Sequence, residues 1–326
     1  MRATVRQPVH ATMVELSSPT VSVVIVNWNT VSLLRDCLGS LQQSCTLPFE
    51  TIIVDNASSD QSAEMVRAEF PESILLANDT NRGYAAACNQ GIERSLGQYV
   101  LILNSDVVVH QGSIEALHVA LETVPGAGLA APALLGSNGG LQRSCWYGYP
   151  SLSFALADAL YLWKLSPWLR FLAKAEVPVH QITGTTDVDH VLGACMLVSK
   201  QAIAKVGQMD EEYFMFLEET DWCFRLQRAG YKILYVPESR ITHRGGQSTR
   251  QVPDRMLPQA YRSYCRFCRK NLGFGPAKAE TLKAVIALGA VMRILLWGAR
   301  TLTSHERLPR KMLRGYARVL SELPAM

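Results

Sequence analysis

The residues of this chain whose types and spacing could do chemistry sit at a few abrupt places. Val100, Leu101, Ile102 and Leu103 form an apolar run typical of a central parallel strand, and it stops at Asn104-Ser105-Asp106. A carboxylate beside such a run needs a partner, because an uncompensated buried anion is costly. A diphosphate-bound divalent cation is one such partner, with Asp106 as its ligand. His243, in "ITHRGGQS", follows a strand-like stretch and precedes two glycines that let the backbone fold back. A neutral imidazole there would be the second protein ligand of the same ion. Glu218, Glu219 and Asp221 cluster where a helical segment begins, a place where the positive end of the macrodipole alone would account for them.

Further polar groups fall just past strand-like segments. "VSVVIVNWN" carries Asn27 at its end, and "TIIVDNASSD" carries Asp55 and Asn56. In open α/β sheets the edge outside the carboxyl ends of the strands is where ligands bind, so these residues converge with 104–106 on one crevice. Asp55 suits nucleobase recognition, its carboxylate accepting the imide N–H of uracil or thymine; the bland alternative is an ordinary helix cap shared with Asn56 and Ser58. "NRGYAAACNQG" places Arg82 and Gly83 at a turn before a helix of small residues, from which Arg82 can reach phosphate or base.

The elements that must hold these groups alternate. Periodicity predicts strands at "VSVVIVN", "TIIVD", 73–77 and 99–103, with helices over 33–41, 63–70 and 84–95 between them. That order gives an α/β domain with a mostly parallel sheet. After Pro132 the alternation fails. Residues 141–180, with Trp146, Tyr147, Tyr149, Phe154, Leu160, Trp163 and Trp168, read as an insertion over the sheet, either a buried helical pair or an amphipathic lip facing acceptor or lipid. A strand over 190–199, a helix over 219–229 capped by Gly230 and a final strand complete the pattern.

The 326 residues carry no apolar leader in their first 20, so a cytoplasmic location is expected. The eight cysteines form no disulfide framework, and Cys265 and Cys268 lack the further ligands of a zinc site. Charge is divided: residues 1–261 hold 19 Lys+Arg against 25 Asp+Glu, whereas 262–326 hold 13 against 3. A basic, apolar tail on an acidic body points to an anionic membrane surface, not to nucleic acid.

Six ordered motifs, "VSVVIVNWN", "IIVDNASSD", "NRGYAAACNQG", "LILNSDVVV", "LGACMLVS" and "MDEEYFMFLEETDWCFRLQRAGY", resemble family 2 glycosyltransferases over roughly 20–250, in a branch similar to bacterial rhamnosyltransferases. The resemblance implies a GT-A fold, a nucleotide-sugar donor (dTDP-rhamnose, or another dTDP- or UDP-sugar), Mg²⁺ or Mn²⁺, and inversion at the anomeric carbon. Asp106 then corresponds to the last carboxylate of the D-x-D motif, with Asn104 in place of its first Asp. The family's Glu-Asp pair corresponds to Glu218-Glu219, making Glu219 the general base, with Glu218 and Asp221 as the other candidates. The acceptor implied is a lipid-linked or growing cell-surface glycan. The expected organisation is an N-terminal extension (1–20), a catalytic domain (21–260) and a helical region (261–326).

In that last region "LKAVIALGAVMRILLWGARTL" is apolar at helical spacing but interrupted by Lys283 and Arg293. It is expected to lie in the membrane interface with Lys278, Arg300, Arg307, Arg310, Lys311 and Arg314 on lipid headgroups, or else to dock on the catalytic domain or a second subunit. A dinucleotide-dependent oxidoreductase would want G-x-G-x-x-G after the first strand, where Asn27-Trp28-Asn29-Thr30 stands. A noncatalytic glycan-binding protein with a decayed transferase domain is the stronger rival. A polyprenyl-phosphate sugar synthase would want clear C-terminal spans.

Overall fold

The computed structural model describes residues 18–162, 175–176, 179–303 and 307–326. The expectations for 1–17, for Trp163 and Trp168 and for the Arg307 side chain lie outside the described residues. The first third alternates as its periodicity demands: β1 (Val21–Asn27), α1 (Val31–Ser44), β2 (Phe49–Asp55), α2 (Ser62–Glu69), β3 (Ile74–Ala77), α3 (Tyr84–Arg94) and β4 (Tyr99–Asn104). Every residue of β1 is buried, with Val21, Val23 and Ile25 in one core cluster and Val24 and Val26 in the other. A strand buried on both faces reads as a continuous apolar run, which is why "VSVVIV" shows no alternation. The small residues of α3 serve close approach: a Cβ on Gly91 would lie 2.2 Å from Val24 Cγ1.

β5 (Val107–Val109), α4 (Ser113–Thr123), β6 (Ala127–Leu135), β7 (Cys145–Tyr147), α5 (Leu152–Ala159), β8 (Ala175–Glu176), β9 (Thr186–Val188), β10 (His190–Val191), β11 (Cys195–Ser199), α6 (Lys200–Val206), α7 (Glu218–Arg228) and β12 (Lys232–His243) follow. The main sheet runs β3-β2-β1-β4-β11-β6-β12-β5, with β9 also on β12. β1 to β4 pair in parallel, but β11 runs antiparallel to both β4 and β6, so the sheet is mixed beyond its first half. The single strand expected over 190–199 is two. Leu192 to Ala194 break it, β10 joins a small second sheet with β7 and β8, and β11 enters the main one.

Three helices close the chain: α8 (Pro253–Leu272), α9 (Pro276–Thr303) and α10 (Arg307–Glu322). They share a third apolar cluster that includes Cys268, Ile286 and Val319. A division at 260/261 falls inside α8, one continuous helix from Pro253 to its Gly273 cap. Arg293, expected to interrupt an interfacial helix, is instead 6% exposed and bonded to Asp158 of α5 at 2.9 Å. α9 therefore docks on the insertion by one face. Among the described residues one helix, over Pro276–Thr301, is long and apolar enough to cross a membrane by length and composition alone.

Candidate active site

A cavity of about 250 Å³ opens at the carboxyl edge of the sheet, lined by residues of β1, the 81–84 turn, the β4–β5 turn, the 214–215 loop and the 246–256 segment. Asn56, Gly83, Asn104, Ser105 and Asp106 are in its wall; Asn27, Asp55 and Arg82 are not. The antiparallel pairing of β12 with β5 sets His243 opposite Val107, which brings its ring beside Asp106.

The Asp106–His243 pair is the most informative contact there. Both side chains are buried, and Nε2 lies 3.4 Å from Oδ1 of the carboxylate. Gln142 decides the tautomer. Its Nε2 donates to the His243 carbonyl at 2.7 Å, which turns its Oε1 to the ring Nδ1 at 3.1 Å. Nδ1 then carries a proton, and Nε2, which has no hydrogen-bond partner, lies toward a carboxylate oxygen of Asp106. A buried carboxylate beside an imidazole nitrogen is stabilised by a second ring proton or by a cation held between the two. An imidazole whose other nitrogen is held by an acceptor is also the usual state of a metal-bound histidine. Among the described residues no third His, Cys, Asp or Glu joins them, so remaining ligands would come from water and a bound diphosphate. The pair fits a divalent cation in that partial sense.

A buried hydrogen-bond chain ties the strand ends together. Thr30 Oγ1 donates to Asn27 Oδ1 at 2.7 Å and lies 2.8 Å from Ser105 Oγ; Asn27 Nδ2 donates to Asp55 Oδ1 at 2.9 Å. Asp55 Oδ2 accepts the Ser58 N–H at 3.0 Å. Both Asp55 oxygens thus accept bonds within the chain, in a local turn and not in a helix cap, since the next helix starts at Ser62. Asn56 lines the cavity but spends its amide on the 78–83 turn, donating to Asn81 Oδ1 and the Gly83 carbonyl and accepting from Asn78 and the Arg82 N–H. The Arg82 side chain is exposed, away from the cavity wall.

Gly83 has a specific reason to be glycine. Its φ is +87°, and a Cβ there would lie 2.6 Å from the Phe214 carbonyl oxygen, which accepts the Tyr84 N–H at 2.7 Å. The 207–217 loop therefore seats on the start of α3 and carries Phe214 and Met215 into the cavity wall. That loop ends in Phe216 and Leu217, both left-handed at φ +70° and +64°, immediately before Glu218. Consecutive non-glycine residues in that region are strained and typically kept at functional sites.

The three acids that follow are not equivalent. Asp221 is fully buried and paired to Arg225 at 2.8 Å and Lys270 at 2.7 Å, which removes it as a base. Glu218 is 4% exposed, and burial, reinforced by the neighbouring Glu219, pushes its carboxyl well above the usual range. Glu219 is half-buried against Gly193, whose carbonyl lies 3.0 Å from the Tyr84 hydroxyl; that hydroxyl also donates to Asn104 Oδ1 at 2.7 Å. Tyr84 thus links the helix-start acids to the Asn104 edge of the cavity, and its burial raises the phenol so that it stays a donor.

Residues 22–134 match the family model for glycosyl transferase family 2. Over 281 residues the chain is 28% identical to the N-acetylglucosaminyl-diphospho-decaprenol L-rhamnosyltransferase of Mycobacterium tuberculosis, covering 82% of this chain and 90% of that one. The chain carries a family 2 glycosyltransferase domain. The chain as a whole is similar to a rhamnosyltransferase, and its fold is shared with solved transferases of low identity. The mannosyltransferase from Pyrobaculum calidifontis, in complex with GDP-Man and Mn²⁺, aligns at TM-score 0.53 and 15% identity over 94% of this chain and 86% of that one. GalNAc-T7 with UDP, GalNAc and Mn²⁺ aligns at 0.54 and 17% over 78% and 48%. The site of this glycosyltransferase includes residues that sequence reasoning missed: Gln142 behind His243, Tyr84, Phe214 and Met215, and Arg255 and Met256 from α8. Tyr84, Phe214 and Met215 lay inside quoted motifs, Tyr84 as an aromatic among alanines and the other two in the run Tyr213-Phe214-Met215-Phe216.

Proposed function

We propose that the protein is an inverting, metal-dependent transferase that moves a hexosyl unit, with rhamnose from dTDP-rhamnose as the first candidate, onto a lipid-linked or growing glycan. The observation that carries this reading is the buried Asp106 carboxylate with His243 Nε2 at 3.4 Å from its Oδ1 in the cavity region. The similarity to a transferase whose name specifies rhamnose and a diphospho-decaprenol acceptor supports the sugar and the acceptor class. A divalent ion, Mg²⁺ or Mn²⁺, would offset the charge of the departing nucleoside diphosphate when bound. Asp106 and His243 would hold it, and the Asn104 amide would face the donor with its oxygen already engaged by Tyr84.

Displacement at the anomeric carbon needs the acceptor hydroxyl to lose its proton as it attacks, and one positioned carboxylate suffices. Glu219 takes this role because Asp221 is locked in ion pairs and burial pushes the Glu218 carboxyl well above the usual range, which disfavours its charged form. The left-handed pair at 216–217 aims the helix start that carries it. The work is placed on the cytoplasmic side of a membrane, in reach of a lipid-linked acceptor.

The test begins with nucleotide-sugar donors screened by thermal shift with Mn²⁺, followed by transfer assays with the donor found. Glu219→Gln should abolish transfer and keep the donor-induced shift. Normal turnover by Glu219→Gln refutes the base assignment, and full activity in excess EDTA refutes the metal role of Asp106 and His243.

A further inference from the structure

α9 has two faces, and the fold uses one of them. Leu282, Ile286, Ala290 and Arg293 recur at helical spacing and are buried, the first three in the third apolar cluster and Arg293 on Asp158 of α5. Leu288 stands roughly 160° around the helix from Ile286. With it stand Val291, Leu295 and Leu296, the four exposed at 45, 44, 69 and 51%. Ala284 and Ala299 are exposed on the same side, so the strip runs for about 22 Å. Of the eleven large hydrophobic side chains exposed among the described residues, these four belong to one helix. A fifth, Leu308, is in the first turn of α10, which shares the third cluster with α9. A soluble surface scatters such side chains singly; gathered on one strip they mark an interaction surface.

Charge decides what covers that strip. No Asp or Glu occurs between Glu280 and Glu306. The acids of α9 and α10, Glu280 and Glu322, are engaged by Lys283 and by Arg262, each at 3.1 Å. Lys278 and Arg300 are exposed toward the two ends of α9, and Arg310 and Arg314 are exposed on α10. An apolar strip edged by cations matches an anionic bilayer surface, whose acyl region takes the leucines and whose headgroups take the cations. A second copy of the chain would instead set like charges together, with no acid of α9 or α10 left to receive them. Spanning is opposed by the other face. By length and composition α9 could cross a bilayer, but doing so would carry the Arg293–Asp158 pair and α5 into hydrocarbon, where ionisable groups are costly.

We propose that the face of α9 carrying Leu288, Val291, Leu295 and Leu296 seats the protein on an anionic membrane surface, with Lys278, Arg300, Arg310 and Arg314 among the lipid headgroups. The inference deepens the lipid-linked acceptor reading, since a protein held on the surface meets such an acceptor within the plane of the membrane. Of the measurements that test it, only transfer rests on that reading.

The full-length protein is floated on vesicles of phosphatidylcholine alone and of phosphatidylcholine mixed with phosphatidylglycerol. Each basic residue near an anionic surface strengthens adsorption roughly fivefold, so the mixed vesicles should bind roughly tenfold more tightly or better at low salt, and added salt should erase most of the difference. Leu288→Glu combined with Leu295→Glu should weaken binding to mixed vesicles roughly tenfold or more. Both positions are exposed, so Tm and the Mn²⁺-dependent donor shift should keep their wild-type values. Arg310→Gln combined with Arg314→Gln should lower the preference for mixed vesicles and leave binding to phosphatidylcholine unchanged. Transfer to a polyprenyl-diphosphate acceptor carried in mixed vesicles should fall with vesicle binding in the double glutamate variant, while transfer to a short-chain water-soluble analogue is retained. Equal binding with and without phosphatidylglycerol, or undiminished binding by the double glutamate variant, overturns the proposal. A lipid-free dimer that the same variant dissociates also overturns it, assigning the face to a second copy, and retention of the wild type in vesicles after alkaline carbonate overturns it in favour of a span. Vesicle binding as expected, with no transfer to either acceptor by the wild type, overturns the transferase reading and upholds the seat.

Discussion

Lys270→Met is the perturbation that most directly tests how the C-terminal helices hold the site. Lys270 Nζ lies 2.7 Å from Asp210 Oδ2 and 2.7 Å from Asp221 Oδ1, so one α8 side chain joins both ends of the segment that carries Phe214, Met215 and the helix-start glutamates. Burial alone would raise the Asp210 carboxyl, but Lys270 and Arg266 outweigh it and bring it from 3.8 to about 2. At about 1.36 kcal/mol per pH unit that depression corresponds to about 2.4 kcal/mol. The ion-pair side chains of Asp210, Arg266 and Lys270 are 17 to 32% exposed, so screening reduces it to about 1–2 kcal/mol, of which Lys270 supplies about half. Asp221 also loses a cation but keeps Arg225 at 2.8 Å and Asn271 at 2.8 Å, so the cost on that side is about 1 kcal/mol and not the 3–5 of a stripped buried charge.

The total of about 2 kcal/mol should lower Tm by about 3 °C in a chain of 326 residues. The sign with pH follows from the depressed carboxyl. Its stabilisation is complete above 3.8 and is lost as pH falls toward 2, so the Asp210 part of the deficit of Lys270→Met should be constant from pH 7.5 to 5 and shrink as pH falls below 4. Scanning fluorimetry across that range reads it, with Lys270→Arg as the control that restores most of the loss. Transfer should drop severalfold while the donor-induced shift survives. A Tm within 1 °C of the wild type at pH 7.5, with transfer unimpaired, refutes the view that α8 clamps this loop.

Gly83→Ala should cost about 1–3 kcal/mol and impair donor binding, because φ +87° and the 2.6 Å approach to the Phe214 carbonyl leave no room for a methyl group; a thermal scan with and without donor checks both. Gln142→Leu frees the His243 tautomer and should weaken Mn²⁺ affinity roughly 10–100-fold, measured by metal titration at saturating nucleoside diphosphate, with little change in apo stability. Glu218→Gln removes a carboxyl whose proton is retained only by folding. A raised carboxyl lowers stability as pH rises above its ordinary 4.5, so Glu218→Gln should be at least as stable as the wild type at pH 7.5, with the gain vanishing below about 4.5. It should retain far more transfer than Glu219→Gln.

The half of the site that was legible in the sequence is the half made by strand ends. Period and burial give the run Val100 to Leu103, and an apolar run that stops at Asn104-Ser105-Asp106 locates the sheet edge with no knowledge of what packs there. The same logic found Asn27 and Asp55, but it assigns a place and not a direction. That Asp55 also accepts the Ser58 N–H rests on hydrogen bonds over a few residues that no periodicity encodes. At Arg82 the backbone adds what the side-chain type did not announce: its N–H is held by Asn56.

The other half closes the site through contacts between residues far apart in the chain. Gln142 and His243 are 101 residues apart, Lys270 and Asp210 60, Arg293 and Asp158 135. Each pair joins side chains that look ordinary in their own segments, so composition reads them as solvated charges, although two cations of the basic tail, Arg293 and Lys270, meet Asp158, Asp210 and Asp221. Charge counting sums over partners it cannot see. The strand-end half supplies the chemistry that many sugar transfers share, since one carboxylate, one imidazole and one base serve any nucleoside diphosphate donor. The closing half, formed by the 207–217 loop, the 246–256 segment and α8, meets whatever is not common to all donors and acceptors. Loops and appended helices on a rigid scaffold are where such differences are built. Under the proposed function, substitutions at Phe214, Met215, Arg255 and Met256, which line that closing half, should change the ranking of donors and acceptors before they change the rate with the best of them, whereas substitution of Asp106 should lower the rate with all.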